Sequence, residues 1–99
     1  MSKINFREVK DFLNGHEYQI LKQILPDGKK EGSEYVALNP TRDDKKLGSF
    51  RISIITGKWA DFATNDTGGD IISLYAYIKG INNLLAAKEL LKSYRGYHG

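Results

Sequence analysis

The sequence predicts a single α+β domain, in which two helical segments lead into a three-stranded antiparallel sheet and a helical hairpin closes the chain. Three observations carry this. Apolar residues recur at helical spacing from Phe6 to Leu25 and again from Ile71 to Tyr94. Between them, Phe50, Ile52 and Ile54 alternate with Arg51 and Ser53, the period of a half-buried strand. The 99 residues, 40% hydrophobic and 27% charged, suit one small core and are too few for two.

Taken in order, Asn5 is placed to cap a helix whose apolar positions are Phe6, Val9, Phe12 and Leu13, with Asn14-Gly15 as its end. Tyr18, Leu21, Ile24 and Leu25 form the next helical face, stopped by Pro26-Asp27-Gly28. Residues 26–33 then read as a mobile loop with a basic tip at Lys29 and Lys30. Glu34 to Leu38 is a strand ended by Asn39-Pro40, residues 41–48 are a connecting loop, and Ser49 to Ile55 is the second strand. A two-residue turn at Thr56-Gly57 would pair Ile54 with Trp59 and Arg51 with Phe62. Residues 63–69 read as a link. Asp70 caps a helix bearing Ile71, Leu74, Tyr75 and Ile78 and ended by Gly80. Asn82 caps the last helix, with Ala86, Ala87, Leu90, Leu91 and Tyr94 as its stripe, and Arg95 to Gly99 reads as frayed. The domain thus spans 1–99, with helices over 5–25, the sheet over 34–62 and helices over 70–94.

Composition excludes several function classes. With no Cys there is no disulfide scaffold, thiolate zinc site, iron–sulfur cluster or cysteine nucleophile. No apolar run approaches the roughly 18 residues of a membrane helix, and residues 2–7 do not open a secretory signal, so the expected setting is cytoplasmic, without a membrane partner. The net charge is only +3, yet residues 22–58 hold eight basic and five acidic side chains, a distribution that favours a polyanionic partner.

No catalytic constellation assembles. His16 and His98 sit at a helix boundary and beside the C-terminus, and Asp43-Asp44 beside Lys45-Lys46 reads as a solvated turn. Gly68-Gly69-Asp70 lacks the Gly-Lys-Ser/Thr of a phosphate loop and the three spaced glycines of a dinucleotide site, which leaves a tight turn with a cap. Trp59, flanked by Lys58 and followed by Phe62, is either a base-stacking platform or a core residue.

From Asn39 to Leu91 the chain resembles the zinc-binding domain of bacterial DnaG-type primases and of phage and plasmid primase-helicases. The family pattern runs Cys-Pro-x-His, a Ser-Phe strand, a hairpin with an aromatic, Cys-x-x-Cys, then Gly-Asp opening a helix. Here Asn39-Pro40-Thr41-Arg42, Gly48-Ser49-Phe50, Trp59 to Thr64 and Gly68-Gly69-Asp70 stand at those places. The resemblance implies a zinc-ribbon-like fold, a role in DNA replication, and a domain that precedes a larger catalytic part. The ligand positions hold Asn39, Arg42, Asp61 and Thr64, a set that offers a single carboxylate and no thiolate or imidazole, so no zinc and no other cofactor is expected. In place of the metal, Arg42 and Asp61 are expected to form a charge-assisted pair.

Together these features imply a non-catalytic module that binds single-stranded DNA. Lys45, Lys46, Arg51 and Lys58 would contact phosphates, Trp59 or Tyr35 would stack on bases, and Lys29 and Lys30 would assist. The alternative is a docking module for a helicase or polymerase partner, marked by an exposed apolar patch on the C-terminal helical hairpin.

Overall fold

A computed structural model of the chain describes residues 5–41 and 47–98. Helices α1 (Phe6–Leu13) and α2 (Glu17–Ile24) lead into strands β1 (Lys29–Glu31), β2 (Glu34–Ala37), β3 (Phe50–Ser53), β4 (Trp59–Asp61) and β5 (Asp66–Gly68). Helices α3 (Ile71–Lys79) and α4 (Asn83–His98) complete the fold. The architecture is α+β, as the sequence predicts, but the sheet is a five-stranded antiparallel meander in the order β1-β2-β3-β4-β5 rather than a three-stranded, zinc-ribbon-like one.

The helix caps form where local chemistry places them. Asn5 Oδ1 accepts from the Arg7 and Glu8 amides at 3.0 and 3.3 Å. Asp70 Oδ1 accepts from Ser73 N at 2.8 Å, and Asn82 Oδ1 from Leu85 N at 2.8 Å. Each satisfies an amide that the first helical turn leaves without a partner. Gly80 closes α3 in the left-handed conformation at φ 69°. Helix α4 continues to His98, so the segment read as frayed is largely helical.

Both additional strands are edges. Residues Lys29–Glu31, read as a mobile loop, pair with β2 through a two-residue turn in which Gly32 takes φ 62°. Residues Asp66–Gly68, read as a link, pair with β4, and Asn65 at φ 66° turns the chain between them.

The β3–β4 register also differs from the expected one. Ile52 faces Trp59 and Arg51 faces Ala60, because the turn spans residues 54–57 and not two residues. Ser53 Oγ accepts from the Ile55 and Thr56 amides at 3.2 and 3.1 Å, and Gly57 N donates to Ser53 O at 3.0 Å, which builds the longer turn. The slip is two residues, so every side chain keeps its face.

One sheet face is the core. Tyr35, Ala37, Phe50, Ile52 and Trp59 pack with Val9, Leu13, Ile20, Leu21, Leu74 and Ala86 from the four helices. Burying each large side chain is worth roughly 1.5–3 kcal/mol. Tyr18, expected on the core face of α2, is instead half exposed, and Ile20 takes its place. The opposite face carries Lys29, Val36, Arg51, Ala60 and Thr67 across the five strands. No helix among the described residues is long and apolar enough to cross a membrane.

Candidate nucleic-acid interface

Two places stand out from the sequence: the four positions that the resemblance aligns with zinc ligands, and the basic, aromatic sheet. At the first, the fold brings Asn39 and Asp61 together and buries both. Asn39 Nδ2 donates to Asp61 Oδ2 at 2.8 Å and to Tyr77 Oη at 2.9 Å. Its Oδ1 accepts from Thr41 N at 2.9 Å and Thr41 Oγ1 at 2.7 Å, so both amide protons and both lone pairs are used. Asp61 Oδ1 accepts from Ala63 N at 2.9 Å, and Tyr77 Oη donates to Asp66 Oδ2 at 2.7 Å. Thr64 lies beside this network, its Oγ1 accepting from Asp66 N at 3.2 Å. Arg42 lies outside the described residues.

This donor set does not fit a zinc ion. Asn39 has no lone pair to spare, and the oxygens of Asp61 already accept hydrogen bonds from Asn39 and Ala63. Among the described residues no three His, Asp or Glu side chains are grouped to hold a metal. Tyr77 and Asp66, which complete the network, escape a reading confined to the ligand positions. Tyr77 was legible as the residue three beyond Leu74 on one face of α3.

At the sheet, the two expected stacking residues belong to the core. Trp59 is 5% exposed and Tyr35 is 2% exposed. Trp59 Nε1 donates to Ser73 Oγ at 2.9 Å, and its ring lies 4.6 Å from that of Tyr77 and edge-on to Phe50 at 6.1 Å. Gly68 rests against the indole so closely that a Cβ there would collide with Trp59 Nε1 and Ser73 Oγ. Tyr35 Oη donates to Leu25 O at 2.6 Å. Burial pushes the Tyr35 hydroxyl above the ordinary phenol range, and charge on Tyr18 and Asp27 adds to this.

The accessible aromatic on the sheet is Phe62, 67% exposed. Phe62 N donates to Ser49 O at 2.8 Å, which prolongs the β3–β4 ladder by one residue. Strand alternation therefore turns Asp61 into the core and Phe62 onto the outer face, the side of Arg51 and Ala60. Lys29 and Lys58 are exposed on this same face.

Arg51 is less free than its sequence position suggests. Its Nη1 lies 3.0 Å from Glu34 Oε1 and 3.6 Å from Glu31 Oε1, and its Nε donates to Gly48 O at 2.9 Å. It is held between Gly48 and Glu34, and its register partner Val36 is 1% exposed. Lys29 Nζ is 3.8 Å from Glu31 Oε2. Lys30 belongs to β1 but points to the other face, where it lies 5.7 Å from the ring of Tyr18. Lys45 and Lys46 lie outside the described residues. The C-terminal hairpin exposes Leu84 and Leu85 at the start of α4, while Ala86, Ala87 and Leu90 are buried against the core.

No protein-family model matches the chain, and neither the curated proteins nor the solved structures compared with it give a match.

Proposed function

We propose that this domain binds single-stranded DNA on the outer face of its sheet, as a primase-type module in which a hydrogen-bonded cluster stands where relatives would carry zinc. The observation that supports it most is Phe62, a large aromatic ring held in solvent on the same sheet face as Arg51, Lys29 and Lys58, opposite the helix-packed core. An exposed ring offers a base-stacking surface worth about 1–3 kcal/mol per base, and the neighbouring cations supply sequence-independent phosphate attraction. Lys45 and Lys46 add to that charge in this reading. The binding is positioning rather than chemistry, and the catalytic work belongs to another domain or partner.

The test is a titration with labelled oligonucleotide at low and moderate ionic strength. Affinity should fall steeply with salt, and replacing Lys29, Arg51 and Lys58 by Ala should flatten that dependence by about 0.7 in logarithmic slope for each phosphate that is no longer neutralised. An unchanged slope would contradict it. The competing reading, a dock for a helicase or polymerase, draws on Leu84 and Leu85, but the rest of the described apolar stripe of α4 is buried or half-buried, which leaves it little area.

A further inference from the structure

We infer that the DNA path does not end on the outer face but continues around the β1 edge to a second binding point formed by Tyr18, Lys22 and Lys30. This rests on the proposed single-stranded DNA reading. Helical spacing places Tyr18 in the core, yet the residue is 37% exposed and its ring stands edge-on to Tyr35 at 6.0 Å. Lys22 Nζ lies 5.5 Å and Lys30 Nζ 5.7 Å from the ring centroid. One lysine comes from the next turn of α2 and the other from β1, so two elements converge on one ring.

The electrostatics separate this cluster from Arg51 and Lys29 on the outer face. Arg51 and Lys29 have carboxylates within 4.0 Å, whereas Lys22 and Lys30, like Lys58 on the outer face, form no ion pair with a described residue. A phosphate reaching Arg51 must compete with Glu31 and Glu34, while one reaching Lys22 and Lys30 displaces only water and a cation–π interaction worth about 0.5–1 kcal/mol at an exposed site. The cluster therefore presents two lysines, neither paired with a described carboxylate, around one exposed aromatic ring.

Continuity comes from β1. Lys29 and Lys30 are consecutive residues of an edge strand, so their side chains point to opposite faces, one toward Arg51 and the other toward Tyr18. From β4 to β1 is three strand spacings, about 14 Å. A flexible single strand can cross that distance and turn the edge, while a duplex is too stiff to do so.

The experiment uses the whole chain with oligothymidylates of about four and about 16 nucleotides, the ends of the usual site-size range. Lys22→Ala with Lys30→Ala should weaken binding of the longer strand several-fold and make its salt slope shallower by about 1.4, or about 0.7 for each of two phosphates. The short strand, confined to one binding point, should be weakened less. A paired control, Lys88→Ala with Lys92→Ala, removes the same charge from exposed positions on α4 and should leave both slopes unchanged. Equal weakening in the control, or an unchanged slope for Lys22→Ala with Lys30→Ala, overturns the second binding point while the sheet reading stands. No binding by the unaltered chain at low salt overturns both.

Discussion

Asn39 Nδ2 lies 2.8 Å from Asp61 Oδ2, which joins the segment just after β2 to the end of β4 across 22 residues and away from solvent. The two chain segments are held together there by a directional bond. Removing either side chain leaves buried polar groups without partners, which costs more than the bond itself contributes. Asp61→Ala is expected to destabilise the domain by about 3 kcal/mol in denaturant unfolding. Asn39→Ala should cost about 1–3 kcal/mol, and the double variant clearly less than the sum of the two. Strict additivity would show that the residues act independently. The same cycle between Arg42→Ala and Asp61→Ala tests the charge-assisted pair that the sequence suggests.

Trp59 and Phe62 should separate stability from binding. Trp59 packs against Phe50, Tyr77 and Gly68, so Trp59→Ala is expected to cost about 3–5 kcal/mol. Its fluorescence should change little when oligonucleotide is added, because the indole lies on the core face of the sheet. Phe62→Ala should shift stability by less than about 0.5 kcal/mol. Strong quenching of Trp59 by DNA would place a base against it and contradict the register.

Alkaline pH should weaken the fold through its tyrosines. Tyr35 is raised above 10.0 first by burial, and Tyr75 by burial and then by its 2.9 Å hydrogen bond to Glu89. In both, the folded state holds the proton more tightly than the unfolded chain. The associated stability is complete below pH 10 and is lost as pH rises from there through the folded values. Tyr35→Phe should cost about 1 kcal/mol at neutral pH through the missing bond to Leu25 O, and should reduce the fall in stability above pH 10. Phenolate absorbance followed during alkaline unfolding checks this, and an unaltered pH profile in Tyr35→Phe would refute it.

Glu31 and Glu34 should restrain DNA binding. Replacing both by Gln removes the carboxylates 3.6 and 3.0 Å from Arg51 Nη1 and frees the guanidinium for phosphate. Affinity should rise several-fold, with a salt slope steeper by about 0.7 if one more phosphate is engaged. Weaker binding in this variant would mean that the carboxylates position Arg51 for the ligand rather than compete with it.

What was legible in the sequence follows the range of the forces involved. Asn5, Asp70 and Asn82 read correctly as caps because a cap depends on amides two or three residues away. Strands β1 and β5 did not, since Lys29–Glu31 and Asp66–Gly68 have no apolar alternation and are held by ladder bonds to a neighbour. The place of Tyr18 depended on competition with Ile20 for the core, which helical spacing alone does not resolve. The face of Phe62 was legible, because its expected pairing with Arg51 set the two on one side and the two-residue slip kept them there. Its stacking role was not, because that reading went to Trp59 and Tyr35, whose burial depends on packing against helices far away in sequence.

The most direct test of the account is the affinity of the intact chain and of Phe62→Ala for single-stranded and double-stranded DNA, each at two ionic strengths. The unaltered protein should prefer the single strand and lose affinity steeply with salt. Phe62→Ala should weaken single-strand binding by about 1–3 kcal/mol at both salt concentrations while leaving the slope unchanged, since a stacked base carries no counterion. Absence of binding at low ionic strength, or full affinity in Phe62→Ala, would contradict the account.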